Sequence, residues 1–248
     1  MVDTIVTYDL GNSNPHLGLF IEGKLQSIRT EGDFFSHFPK DEWKNWTFLL
    51  SQVGKPNQYS LHLTEAKKTF TVKDFRKNNL MGSMPIHYQE SLGDDRLIQA
   101  FYLFENSKAN TILFIDAGTF ITIDFINRSN QEGFLGGYIF PGLKTFLNSY
   151  ERGAQLPGLT VDNIPWNKLD LPHSTNEAIL AATKIYLESI LKNFIQNSNN
   201  DIEIVLTGGD ATKVSDILNS ISRNQFSIQP ELIHHALFYA YQSLGEQK

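Results

Sequence analysis

One short pattern occurs twice in this chain, and it limits the possible folds more than any other feature. Residues 4–21 read TIVTYDLGNSNPHLGLFI, and residues 111–126 read TILFIDAGTFITIDFI. Each copy is an apolar strand, an Asp-x-Gly turn with hydroxyl or amide residues, and a second apolar strand. Asp9 and Asp116 hold the same place in the two copies. The echo predicts two similar domains, each opening with a β-hairpin whose turn carries the Asp-x-Gly. Polar residues 105–110 interrupt the pattern, so the domains are expected over 1–107 and 108–248. A chain of 248 residues is long enough for two compact halves, each with its own core.

The rest of the pattern is α/β. Further strands are expected over 47–53 and 203–206. Leu97, Ala100, Phe101 and Phe104 recur at helix spacing after Asp95. Ser174 and Glu177 match a capping box ahead of a long amphipathic helix. Val214, Ile217 and Leu218 mark another helix, and Pro230 opens a last one. That last helix carries Phe238, Tyr239 and Tyr241, which suit a core or a face toward a second subunit. Residues 18–25 come close to a phosphate-binding P-loop but fail at Leu25, where Ser or Thr is needed. Glu22-Gly23-Lys24 reads instead as a hairpin turn.

Composition narrows the chemistry. The chain has no cysteine, which removes disulfides, thiolate nucleophiles and Cys-ligated zinc. A net charge of −6 argues against general nucleic-acid binding, which needs a basic face. Lys67, Lys68, Lys73, Arg76 and Lys77 form a local basic cluster, interleaved with Phe70 and Phe75. It reads as a lysine-protected edge strand more readily than as a single-strand nucleic-acid site. Seven histidines are scattered, and neighbours His234 and His235 point to different helix faces. No segment approaches the roughly 18 apolar residues of a membrane span. The opening MVDTIVTYDL has no basic leader region, so a cytoplasmic location is expected.

Carboxylates, main-chain turns and inorganic cations then have to carry the chemistry. Gly11 and Gly118 directly follow strands and let the backbone approach a ligand. Asn12, Ser13 and Thr119 add donors beside exposed N–H groups, which makes a concave anion site. Asp9 and Asp116 suit a cation beside phosphates. An ordinary capped hairpin would use the same residue types. A third element, Val205 to Ala211, is a strand end, a glycine pair and a helix start. Gly208 and Gly209 there would let a base or ribose pack on the backbone. Asp94 and Asp95 open a helix and suit either capping or general-base work. Arg96 suits a carboxylate-bearing substrate.

In order, the motifs are Asp9-Leu10-Gly11-Asn12-Ser13, Gly93-Asp94-Asp95-Arg96, Asp116-Ala117-Gly118-Thr119 and the stretch from Gly136-Gly137 to Pro141-Gly142. Leu156-Pro157, Ser174-Thr175 and Thr207-Gly208-Gly209-Asp210 follow. Together they resemble the type III pantothenate kinases of the acetate/sugar kinase–Hsp70–actin superfamily. The resemblance implies an α/β fold of two actin-like (ribonuclease H-like) domains with an interdomain nucleotide cleft. It implies ATP-dependent phosphorylation of pantothenate to 4'-phosphopantothenate, the first step of coenzyme A biosynthesis. Asp9, Leu10, Gly11, Asn12, Ser13, Thr119, Gly208 and Gly209 would bind Mg-ATP, Asp9 reaching the magnesium through water. Asp95 would be the general base. Tyr88, Gly93, Asp94, Arg96 and Thr175 would hold pantothenate, Thr175 across a homodimer interface. Asp116 would bind a monovalent cation, potassium or ammonium. The chain departs from the family pattern in four places: Ser13 for Thr, Pro15 after the first turn, Phe120 for a small residue, and the pair Ala181-Ala182 for a glycine. They leave open a catalytically weak or inactive relative that acts as a regulatory, nucleotide-sensing protein.

Overall fold

The structure is a computed structural model that describes residues 3–11, 13–53, 59–154, 158–166, 171–196, 202–221 and 225–245. Asn12, Leu156 and Pro157 of the motifs above lie outside the described residues.

The first sheet contains β1 (Thr4–Leu10), β2 (His16–Ile21), β3 (Lys24–Thr30), β4 (Thr47–Gln52) and β5 (Lys68–Thr71), in the order β3-β2-β1-β4-β5. β1 pairs antiparallel with β2 across the Asp-x-Gly turn and parallel with β4. Its near-continuous apolar run reflects a central strand covered on both faces. Between β2 and β3, Glu22 and Gly23 both have positive φ, 51° and 77°, which is what a tight two-residue hairpin requires. Helices α1 (Glu31–His37) and α2 (Lys40–Trp43) place Phe34 and Trp43 on Val6, Tyr8, Leu10 and Leu17. The basic cluster straddles the edge strand β5, the short helix α3 (Val72–Phe75) and a small meander of β6 (Arg76–Lys77), β7 (Leu80–Met81) and β8 (Met84–Pro85). Phe70 and Phe75 turn inward and stack, 5.9 Å apart. α4 (Asp94–Asn106) follows.

The second sheet contains β9 (Thr111–Ala117), β10 (Phe120–Asn127), β11 (Gly133–Pro141), β12 (Ile202–Thr207) and β13 (Phe226–Ile228). Its order, β11-β10-β9-β12-β13, repeats that of the first sheet position for position. α5 (Leu143–Ala154), α6 (Thr175–Gln196) and α7 (Ala211–Ile221) precede and flank β12, and α8 (Leu232–Leu244) ends the chain. Leu113, Ile115, Ile121 and Ile123 pack against Leu187 and Leu191 of α6 and Val214 and Leu218 of α7. Each such fully buried aliphatic side chain contributes about 1.5–3 kcal/mol. At the start of α6, Ser174 Oγ accepts the Glu177 N–H at 3.3 Å, as the capping pattern predicts. The return bond differs: the Glu177 carboxylate accepts the N–H of His173, one residue earlier than the expected partner.

The chain forms two compact units. One comprises Met1–Lys108, Ile126–Gly136 and Glu231–Lys248, and the other Ala109–Phe125 and Gly137–Pro230. Residues 126–136 and 231–248 thus join the first unit, although they follow the sequence break near residue 108. For α8 the reason is packing. Phe238 stacks on Phe20 at 4.4 Å, Tyr241 meets Phe70 at 5.4 Å, and Tyr239 meets Phe101 at 5.8 Å. Its aromatic residues therefore fill the core of the first unit. Among the described residues, no helix is long and apolar enough to cross a membrane.

Candidate active site

In the first unit, strand ends and a helix start are tied together. Leu10 O accepts the Val53 N–H at 3.3 Å, and Gln52 N–H donates to Asp94 Oδ2 at 3.2 Å. The end of β1, the end of β4 and the first turn of α4 are therefore joined by hydrogen bonds. Gly11 follows β1, and a Cβ there would lie 3.8 Å from Asp9 Oδ2, so the carboxylate leans over the turn. Ser13 is exposed beyond it.

Across the hairpin Asp9 faces His16, with Asp9 Oδ2 3.7 Å from His16 Nε2. The His16 ring lies 4.9 Å from that of His234, on α8. His234 Nδ1 is 2.7 Å from Thr7 Oγ1, and Thr7 donates its hydroxyl proton to Gly18 O. Burial, and then the neighbouring His16 and His235, push the His234 pKa down to about 3, and burial also lowers that of His16. The folded chain thus protonates His234 near pH 3, whereas the unfolded chain does so near 6.5. Stability is complete above pH 6.5 and falls as the pH drops toward about 3. Thermal melts over this range should show the loss, and His234→Gln should flatten it. A variant that keeps the wild-type slope would show that another group is responsible.

The start of α4 separates two adjacent carboxylates. Asp94 is buried and spent on the end of β4. Asp95 folds back over Gly93 and accepts the Arg96 N–H at 2.8 Å. A Cβ on Gly93 would lie 2.6 Å from Asp95 Oδ1, which explains the glycine. Burial pushes the pKa of Asp95 up, against opposing effects from the Arg96 N–H and guanidinium. Arg96 is buried, and its guanidinium carbon lies over the rings of Tyr88, at 5.2 Å, and Phe134, at 5.8 Å. Tyr88 and Asn79, with residues 86–91, line a cavity of about 830 Å³. Tyr88, Gly93, Asp94, Asp95 and Arg96 thus share the first unit, and Phe134 is a member of this group that the sequence reading missed. The signal that could have found it is the pair of glycines, Gly133 and Gly136, around it.

The second unit builds its turns around Asp116. β9 and β12 run parallel with Asp116 opposite Thr207. Gly208 follows with φ +91°, and a Cβ there would lie 2.5 Å from both Asp116 Oδ1 and Ala117 O. A Cβ on Gly142 would run into Gly118 O. Thr119 O accepts the Gly142 N–H at 3.0 Å and the Thr145 hydroxyl at 2.7 Å. Gly208 therefore closes the backbone on the Asp116 carboxylate, and Gly142 closes it on the Gly118-Thr119 turn. The Gly208-Gly209 turn also sits at the N-terminus of α7, where the helix end favours negative charge. A Cβ on Gly209 would meet nothing within 4 Å. Phe120, which follows the Gly118-Thr119 turn, is 46 % exposed. Thr175 is exposed at the first turn of α6.

Among the described residues, no cluster of three or more His, Asp or Glu could cage a metal ion. Single carboxylates beside glycine turns fit a magnesium ion carried largely by phosphates and water, which is how that ion binds nucleotides.

Two five-stranded sheets of one strand order, each with an Asp-Gly turn after its central strand, define an actin-like fold. Solved structures agree. The chain superposes on a conserved putative Baf family transcriptional activator from Campylobacter jejuni with a TM-score of 0.61, at 20% identity over 97% of this chain and 99% of that one. MreB 5 of Spiroplasma citri, bound to AMPPNP, gives 0.54 at 10% identity over 98% and 97%. Within this fold class the chain belongs to the type III pantothenate kinase family, whose family model matches residues 5–197. The type III pantothenate kinase of Christiangramia forsetii is 34% identical over 228 residues, covering 87% of this chain and 90% of that one. That of Idiomarina loihiensis is 33% identical over 127 residues, covering 49% of this chain and 47% of that one. Membership of a kinase family implies the use of ATP with a divalent metal.

Proposed function

We propose that this protein transfers the γ-phosphoryl group of ATP to the primary alcohol of pantothenate, giving 4'-phosphopantothenate and ADP, the first step toward coenzyme A. The observation that carries this reading is Asp95, held over Gly93 beside Arg96 at the mouth of α4, in a chain of this family. Asp95 accepts the alcohol proton as the oxygen attacks the γ-phosphorus in line. A carboxylate suffices as base because the transition state is loose and mainly needs positioning and charge stabilisation. A pKa raised by burial makes Asp95 a better proton acceptor than an exposed aspartate. Arg96 pairs with the pantothenate carboxylate. Tyr88 and Gly93 frame the substrate, and Asp94 holds that frame to β4.

The phosphates lie on the Asp9 to Ser13 turn, Leu10, Gly11 and Asn12 included, and on Thr119. Gly208 and Gly209 give the backbone surface for the nucleoside. Magnesium, when bound, would neutralise charge on the phosphate oxygens, and Asp9 would hold it through water. Asp116 would hold potassium or ammonium. The protein acts as a cytoplasmic homodimer in which Thr175 reaches the substrate of the other subunit.

The direct test is ATP turnover with pantothenate against a panel of other alcohol acceptors. Turnover confined to pantothenate supports the reading. ATP binding without turnover of any acceptor sinks it and favours the nucleotide-sensing alternative. The cation role has its own check: replacing potassium by sodium should lower the rate about tenfold or more, and Asp116→Asn should abolish the difference. Equal wild-type rates in the two salts would remove that role from Asp116.

A further inference from the structure

Phe134 was absent from the sequence motifs, yet the backbone around it is shaped to deliver its ring to Arg96. Gly133 and Gly136 have φ of +78° and +118°, a region that favours glycine. A Cβ on Gly133 would run into Pro85 O, and one on Gly136 would lie 3.6 Å from the Tyr88 ring. These glycines let the first residues of β11 run directly against residues 85–88. Ile86 bridges to Phe134 in parallel, and His87 N–H donates to Phe134 O at 2.9 Å. Phe134 is fully buried, and its ring meets the Tyr88 ring edge-on at 6.0 Å. The Arg96 guanidinium lies over both rings.

We infer that Phe134 is a positioning residue for substrate recognition: with Tyr88 it forms an aromatic bracket that holds Arg96 in the orientation that meets the substrate carboxylate. The inference rests on the proposed function and goes beyond it in naming what sets the preference for a charged acceptor. The physical basis is specific. A long, flexible Arg side chain loses much rotamer freedom when it must meet a planar anion. Aromatic faces attract a cation through the ring quadrupole, so two rings at an angle to one another fix the plane of the guanidinium. Tyr88 also lines an open depression of about 830 Å³, so one wall of the bracket reaches the surface.

Steady-state kinetics of the whole protein test this with two acceptors: pantothenate, and its neutral analogue with a hydroxymethyl group in place of the carboxylate. Phe134→Leu should raise KM for pantothenate about tenfold, with kcat changed less than about twofold and KM for ATP unchanged. KM for the neutral analogue should barely move, so the preference for the charged acceptor falls. Phe134→Tyr, which keeps the ring face, should restore the wild-type values. A buried Leu leaves a cavity, so Phe134→Met serves as a second variant of similar volume without an aromatic face. It should behave as Phe134→Leu does while melting near the wild type. Equal KM increases for both acceptors, or an unchanged KM for pantothenate in Phe134→Met, would overturn the inference. A wild-type protein that does not phosphorylate pantothenate would instead overturn the functional reading, and this inference with it.

Discussion

Asp95→Asn is expected to lower kcat by about 10²–10⁴-fold, the usual worth of a positioned general base. The same variant should melt at the wild-type temperature or slightly above it. The two expectations share one cause. Burial raises the folded-state pKa of Asp95, so at neutral pH the folded chain carries an ionised carboxylate where a neutral group would be more stable. The sign follows from linkage: the folded state holds this proton more tightly than the unfolded state, so ionisation above the raised pKa costs stability. Asn is nearly isosteric, is neutral, and can still accept the Arg96 N–H through its amide oxygen. ATP binding by calorimetry should be retained, because no backbone in the phosphate turns is disturbed. In the wild type, kcat/KM should rise with pH through the raised Asp95 pKa, since the base must be deprotonated. A fully active Asp95→Asn, or an inactive one that melts far below the wild type, would remove Asp95 from the base role.

Gly208→Ala is expected to raise KM for ATP by at least about tenfold and to lower the melting temperature. Two independent penalties meet at this position. At φ +91° any L side chain is strained, at a cost of about 1–3 kcal/mol. The new Cβ would also lie 2.5 Å from Ala117 O and from Asp116 Oδ1, so backbone and carboxylate must both shift. Neither is the compliant tip of a long side chain. The shift opens the β9 and β12 turns that the nucleotide reading requires. Gly209→Ala is the matched control for stability: its Cβ enters open space, so the melting temperature should barely change. Equal melting temperatures for the two variants would show that the closed turn around Asp116 is not rigid.

Much of the molecule was readable from the order of its residues. The repeated strand–Asp-x-Gly–strand pattern anticipates β1, β2, β9 and β10 to within two residues at each end. Those strands are legible because they lie inside their sheets, and a strand covered on both faces is apolar along most of its length. The Glu22-Gly23 turn was legible from Gly23 between two strand patterns, since a tight hairpin needs positive φ there; Glu22 adopts it too, against its own preference. Asp94 was not. Next to Asp95 in sequence, it reads as half of an acidic helix cap and, by resemblance, as a substrate contact, while its bond to Gln52 N–H, at the end of β4, leaves no local mark.

The same division runs through the site. Local chemistry names Asp9, Asp95, Asp116 and the glycines, since each turn must suit its own backbone geometry wherever the rest of the chain goes. Partnership over long separations leaves no periodicity to read. Thr7 meets His234 across 227 positions, and α8 returns to the first unit because its aromatic rings fit Phe20, Phe70 and Phe101. Arg96 acquires its bracket only when Gly133 and Gly136 let β11 run against residues 85–88. Hydrophobic burial is non-directional, and many partners would satisfy the same hydrophobic pattern. Which partner a ring finds, and therefore which charged group it holds in place, is decided only when the whole chain packs.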